Sequence, residues 1–252
     1  MRQWLLILLF ATNAYSEIGE ISELRGNGEI QRQIGGDKLL AELALDILSY
    51  DSVFTGNGRI AIQFVDASII KLTEHSKIVI DEYIYDPDPT KSKLALNMAS
   101  GTARFITGAL GKIDKRNISI KTPSANIAIR GTDFTTTVDE LGRSLVILLP
   151  DADGTTSGEI AVETWSGTEI LNKPFQATMV STFESQPTKA VVLGNLTLGL
   201  IDNMLIVNQP PEVVEAVEEQ QADSKTELDK DFFEEGNDLE KDYLEEEEEI
   251  SR

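Results

Sequence analysis

From Ile18 to about Ser181 the chain is a succession of short apolar-alternating runs, cut every few residues by Gly, Asn, Asp, Ser or Pro. Side chains on an extended strand point alternately to two faces. Ile60, Ile62 and Phe64, interleaved with Arg59, Ala61, Gln63 and Val65, therefore describe a strand with one apolar and one mixed face. Many such runs with turn signals between them predict a mainly β protein: an antiparallel jelly-roll-like or β-sandwich domain. Helical periodicity is scarce in this stretch.

The segments follow one another closely. Ile21 to Leu24 and Glu29 to Gln33 are separated by Arg25-Gly26-Asn27-Gly28, whose Asn-Gly pair predicts a tight hairpin opening the domain. Leu40, Leu43, Leu45 and Ile47 fit either a helical or a strand period, so Leu39 to Leu48 stays open. A meander is expected from Ile60 to Phe64, back through Ile69 to Leu72 after the Asp66-Ala67-Ser68 turn, and again from Ile78 to Tyr85. Asp86-Pro87-Asp88-Pro89 stops it, because proline donates no ladder hydrogen bond and pushes its predecessor to extended geometry. Further strands are expected at 94–98, 102–107, 118–122, 127–129, 134–138, 145–149, 160–165 and 168–171, with turns at Leu141-Gly142-Arg143 and Ser166-Gly167. Antiparallel packing throughout is the economical arrangement.

The most distinctive stretch is KTPSANIAIRGTDF, Lys121 to Phe134. Ile127 and Ile129 alternate as on a half-buried strand, and Gly131 interrupts them where a bulge or a close backbone approach is expected. Arg130 ends the apolar strand, and its planar fork of donors is suited to tying that end to an adjacent turn. Thr122, Pro123, Arg130, Gly131 and Thr132 form a structural motif in which Gly131 supplies backbone shape and Thr132 a local hydroxyl bond.

With DSVFTGNGRIAIQF (51–64), VDASIIKL (65–72), HSKIVIDEYIYDP (75–87) and the block containing Gly101, Arg104, Phe105 and Gly108, this stretch resembles the FecR domain, over roughly residues 19 to 181. Two departures stand out. Ala67 occupies the place of the usual turn glycine, and LLPDADGTT (148–156) replaces a glycine-led turn, so an insertion is expected there. Classical members carry a cytoplasmic segment that controls a sigma factor and then a transmembrane helix. Neither is read in this chain, so the resemblance implies the periplasmic part alone, an extracytoplasmic binding or sensing module.

The ends of the chain differ from its middle. Arg2, the apolar run Trp4 to Ala11 and the small-residue pattern Ala14-Tyr15-Ser16 predict a signal peptide over 1–16, a mature chain beginning near Glu17, a periplasmic or secreted location and no membrane span after cleavage. Residues 17–181 form the β-domain. Over 182–209, Leu193, Leu196, Leu200, Ile201, Met204 and Leu205 suit a segment that covers an open edge of the β-domain, with hydrophobic docking as the other reading. From 210 the composition changes: residues 211–252 hold eighteen acidic and four basic residues, a net −14 of the chain's −21. Such a segment has too little apolar area to offset its ordering entropy and is expected to be disordered. Leu228 with Phe232 and Leu239 with Tyr243 stand four apart, a spacing that would put each pair on one helical face against a partner.

Charge and parts exclude several functions. A net charge of −21 argues against nucleic acid and against anionic membrane surfaces. Cysteine is absent, so there is no thiolate nucleophile, thiolate metal site or disulfide. The single histidine, His75, sits in a turn; no G-x-S-x-G occurs; the glycine pairs Gly26/Gly28 and Gly56/Gly58 lie in turns and not before a helix. Asp151 and Asp153 echo a calcium loop, but Thr155 and Val162 stand where its later acidic ligands belong. Asp81 and Glu82, as neighbours on a strand, are expected on opposite faces. No catalytic, cofactor-binding or metal-ligating residue is assigned. The reading is a non-enzymatic extracytoplasmic module that recognises an envelope protein or glycan, with a structural envelope scaffold acting through its acidic tail as the alternative.

Overall fold

The computed structural model describes residues 17–196, apart from 34, 87, 89–90, 110–117 and 195. The expected signal peptide and the tail with Leu228, Phe232, Leu239 and Tyr243 lie outside the described residues. Seventeen strands are present among those described, and no α-helix: β1 (Glu17–Arg25), β2 (Gly28–Gln31), β3 (Lys38–Leu40), β4 (Asp46–Leu48), β5 (Ser52–Thr55), β6 (Arg59–Phe64), β7 (Ile69–Leu72), β8 (Lys77–Ile84), β9 (Lys93–Ile106), β10 (Ile118–Lys121), β11 (Asn126–Arg130), β12 (Asp133–Val138), β13 (Ser144–Leu148), β14 (Glu159–Glu163), β15 (Thr168–Leu171), β16 (Gln176–Val180) and β17 (Val191–Val192).

They form two sheets. In sheet A the neighbours run β4-β1-β6-β7-β9-β12-β13-β16-β17. In sheet B they run β3-β2-β5-β8-β9-β10-β11-β14-β15. The long strand β9 serves both: its first half pairs with β8 and β10, and its second half with β7 and β12. Gly101 is the point of change. Its φ is +88°, and a Cβ there would lie 2.4 Å from the Ser76 Cα. Only a residue without a side chain lets one strand pass from one sheet to the other here.

Beyond β9 the chain adds hairpins to the two sheets in turn: β10–β11 to sheet B, β12–β13 to A, β14–β15 to B, β16–β17 to A. Gly131, at φ +56°, stands at the crossing from β11 in one sheet to β12 in the other. The core lies between the sheets, where Ile62 and Phe134 of A meet Ile80 and Ile127 of B in one buried cluster. Phe105 and Phe134 stack at 4.9 Å, and Phe64 and Tyr83 at 5.0 Å.

The sandwich class follows from the alternation, but several local expectations are corrected. No hairpin opens the domain: β1 pairs in sheet A and β2 in sheet B, so the Gly26 turn, with φ +75°, is a crossing between sheets. The meander is broken, because β6 and β7 pair while β8 joins β5 and β9 in the opposite sheet. The open segment 39–48 holds the ends of two short strands, β3 and β4. One pairing, β9 with β10, is parallel.

Two buried carboxylates hold the first half together. Asp66 sits at the β6–β7 turn, where its Oδ1 accepts from the Ser68 N–H (3.0 Å) and from the Tyr83 hydroxyl (2.9 Å), and its Oδ2 accepts from Ser68 Oγ (2.7 Å). Ala67 in that turn has φ +65°, a left-handed conformation that its side chain disfavours. Asp51 accepts from the Leu48 N–H (2.8 Å) and pairs with Arg32, whose Nη2 also donates to the Asp46 carbonyl (2.7 Å). Burial nevertheless raises the Asp51 pKa above the usual carboxylate value, against the lowering by Leu48 and Arg32.

Candidate functional site

The outer face of sheet A, turned away from the core, carries the site. Paired residues on neighbouring strands project to the same side. One register row reads Glu23, Ala61, Lys71, Arg104, Thr135, Ile147, Ala177, Val191 across β1, β6, β7, β9, β12, β13, β16 and β17. A row beside it contains Arg25 opposite Arg59, and Thr102 opposite Thr137, whose hydroxyls lie 2.9 Å apart.

On the β1–β12 side of this face is a cleft of about 240 Å³. Four cations line it, Arg25, Arg59, Lys71 and Arg104, against one carboxylate, Glu23, and the threonines Thr73, Thr102 and Thr135 contribute hydroxyl-bearing walls. Arg104 is fixed in place: Nε donates to Asp133 Oδ1 (2.9 Å) and Nη2 to Oδ2 (2.6 Å), a two-point pair only 14 % and 15 % exposed. Lys71 stays looser, 3.5 Å from Glu23 and 39 % exposed. The cleft therefore combines one guanidinium held by Asp133 with three further cations, an arrangement whose charge suits carboxylates and other anions.

On the β13–β16 side the same face is apolar and covered. Leu145, Ile147, Leu149, Ala177, Met179 and Leu193 form a second buried cluster, with Phe175, Val191 and Leu196 at its margin. The part of segment 182–209 that is described thus adds the edge strand β17 and lays Leu193 and Leu196 against this face.

The motif read in Lys121 to Phe134 is divided by β11. At one end, Thr122 closes the β10–β11 turn: its N–H donates to the Ala125 carbonyl (2.9 Å), and its Oγ1 accepts from the Ala125 N–H (3.0 Å) and from Ser144 Oγ (2.7 Å), while Pro123 is exposed on the turn. At the other end Arg130 is exposed opposite Glu159 in the register. The arginine fork that clamps this corner belongs to Arg104. Thr132 also differs from its expectation: it is its carbonyl that accepts, from Thr107 N–H (3.2 Å) and Oγ1 (3.0 Å), and its own hydroxyl is buried without a hydrogen-bond partner among the described residues.

The other acidic features resolve as turn and strand chemistry. Asp151 and Asp153 form a tight excursion after β13, closed by Asp151 N–H to the Thr155 carbonyl (2.9 Å) and by Thr155 N–H and Oγ1 to Asp153 Oδ1 (2.9 and 2.6 Å). The Thr155 hydroxyl holds the Asp153 pKa below its ordinary value. Asp81 and Glu82 do not take opposite faces. The register slips between Ile80 and Glu82, so both are half-buried between the buried Ile80 and Tyr83, Asp81 bonded to Asn97 and Glu82 paired with Lys93 at 2.6 Å. His75 is exposed in the crossing from β7 to β8, at φ +55°.

Sequence reasoning missed the cleft. Its signal is visible in retrospect: Arg59 and Lys71 stand at polar places between buried neighbours, as Arg104 does between Ala103 and Phe105. Knowing that β1, β6, β7 and β9 are neighbours required the pairing, which no single run states.

The family described as FecR protein matches residues 51–151, from just before β5 to just after β13. Those residues match the FecR family, and β1–β4 and β14–β17 continue the same two sheets on either side. Two crystal structures of a protein from Parabacteroides distasonis ATCC 8503, provisionally described as an anti-sigma factor and determined at 2.50 and 1.65 Å, are similar at 13% and 12% identity with a TM-score of 0.40 each. Each likeness covers 54% of this chain and 57% of the other, so the chain spans little more than half the length of those relatives. No curated protein matches. Among the described residues no helix is long and apolar enough to cross a membrane.

Proposed function

We propose that the chain is a non-enzymatic, extracytoplasmic FecR-like module whose recognition surface is the cleft on the outer face of sheet A, and that it takes an acidic segment of an envelope protein or an acidic glycan. The observation that carries this is the reversal of sign: four cations face one carboxylate in a chain whose net charge is −21. A local positive site on an acidic molecule is selective, because the surrounding field repels polyanions that do not reach it.

Fluorescence anisotropy with labelled oligoglutamate and oligogalacturonate tests the reading, in a full chain whose eighteen acidic residues within 211–252 are replaced by their amides, a tail-neutralised chain in which the probe meets no competition from the tail. Saturable binding at low salt that weakens as salt rises, and falls at least tenfold in Arg25→Glu/Lys71→Glu, is the expected result. The stronger probe identifies the ligand class. Binding that ignores both substitutions would place recognition elsewhere, and no binding of either probe would end the cleft reading.

A further inference from the structure

The last described residues leave the fold on the face that carries the cleft. Leu193 is buried against the outer side of β13 and β16, and Leu196 packs at the margin of that cluster. Lys71 lies in the same register row as Ile147, three strands away. At ~4.8 Å per strand that separation is about 15 Å. The chain then continues for fifteen residues, 197–211, to Glu212, the first of eighteen acids against four bases in 211–252. Fifteen residues cross such a distance even at the helical rise, which would give about 22 Å.

From this placement we infer that the chain's own acidic C-terminal segment, within residues 212–252, occupies the basic cleft of sheet A. The inference deepens the reading above and rests on it only in taking the cleft as the recognition surface. Tethering puts the segment at an effective concentration in the millimolar range, so even weak, salt-screened attraction fills the site. An external acidic ligand must then displace the segment, and the module is self-occupied until a stronger anion arrives. A second copy of the chain carries the same acids, but lacks the tether and so the concentration advantage.

Carbodiimide coupling of the full chain, mapped by mass spectrometry, reads the occupant directly because it joins amines only to carboxylates in contact. Lys71 couples to Glu23, 3.5 Å away, whatever the tail does, and that product is the internal reference. Coupling of Lys71 to carboxylates of 212–252 is expected as well, unchanged by tenfold dilution, lost at 1 M salt, and reduced several-fold relative to the reference in Arg25→Gln/Arg59→Gln. Coupling to Glu23 alone overturns the inference, as does tail coupling equally strong at Lys121 on sheet B. A tail product that falls on dilution assigns the cleft to a second copy's tail and overturns the intramolecular form. The two readings fail separately. If the anionic probes bind the cleft while Lys71 never couples to the tail, recognition stands and self-occupation falls; if the tail couples but neither probe binds the tail-neutralised chain, the reverse holds.

Discussion

The two halves of the outer face of sheet A share rows of hydrogen-bonded partners yet have opposite chemistry. On β1 to β9 the outward positions are Glu23, Lys71 and Arg104; two and three strands beyond Arg104 in the same row they are Ile147 and Ala177. The apolar half is sealed by the chain that follows β16, whereas among the described residues nothing covers the charged half, which forms the cleft. A sheet face is thus divided by what returns to cover it. Where apolar chain comes back, both faces of a strand are core; where none does, the outward residues are free to carry recognition.

Substitutions should therefore divide by half. Ile147→Ala, at a position 1% exposed, removes a buried side chain on the covered side and is expected to cost about 2 to 5 kcal/mol in chemical denaturation. A cost below 1 kcal/mol would mean that the covering segment closes the gap, and the contrast between halves would be lost.

At the seam between the halves stands the Arg104–Asp133 pair, which ties β9 to β12. Asp133→Asn keeps the shape and removes the charge, so a loss of roughly 1.5 to 3 kcal/mol is expected, the range for hydrogen bonds to charged groups. Gly131→Val tests the adjoining corner, where φ is +56° and a β-branched side chain is strained; about 1 to 3 kcal/mol should be lost. If either variant also abolishes probe binding at full stability, the corner belongs to the site and not to the scaffold.

How much of this division was legible in the sequence depends on the strand. β13 reads SLVIL, five buried residues in a row, as a strand covered on both faces does, whereas β6 reads RIAIQF, with Arg59 and Gln63 standing out of the core. That contrast predicts which half is covered. The strand runs themselves, the Gly142 and Gly167 turns and the special nature of Gly131 are likewise local chemistry. Pairing is not local: the Gly26 turn looks like a hairpin because a crossing between sheets and a hairpin need the same positive φ. Asp81 and Glu82 were misplaced because a bulge reverses the face of every later residue, and no composition rule announces one.

Tyr83 separates buried polarity from open charge by pH. Burial first, and then the Asp66 carboxylate, push its pKa far above the ordinary tyrosine value. A group whose folded pKa is raised contributes stability that is fully present below its unfolded pKa, about 10, and is lost as pH climbs beyond it. Above pH 10 the unfolded chain ionises this tyrosine and the folded chain does not, so stability should fall by up to about 1.4 kcal/mol per pH unit from this residue. Tyr83→Phe should flatten that slope in urea titrations, at the cost of the hydrogen bond to Asp66. An unchanged slope would show that other groups govern the alkaline limb.

The smallest stability effect is expected at Lys71, and its smallness is what sharpens the comparison. The side chain is 39 % exposed and its carboxylate partner 62 % exposed, so the pair at 3.5 Å contributes at most a few tenths of a kcal/mol. Lys71→Ala should leave the denaturation midpoint within the range of about 0.5 kcal/mol typical of surface changes. Anionic-probe binding in the tail-neutralised chain should nevertheless weaken, because the cleft loses one of its four cations. Stability unchanged with binding reduced places Lys71 among groups kept for recognition. A loss of stability comparable to that of Ile147→Ala would instead make the open half as structural as the covered one, and the cleft would be a by-product of packing.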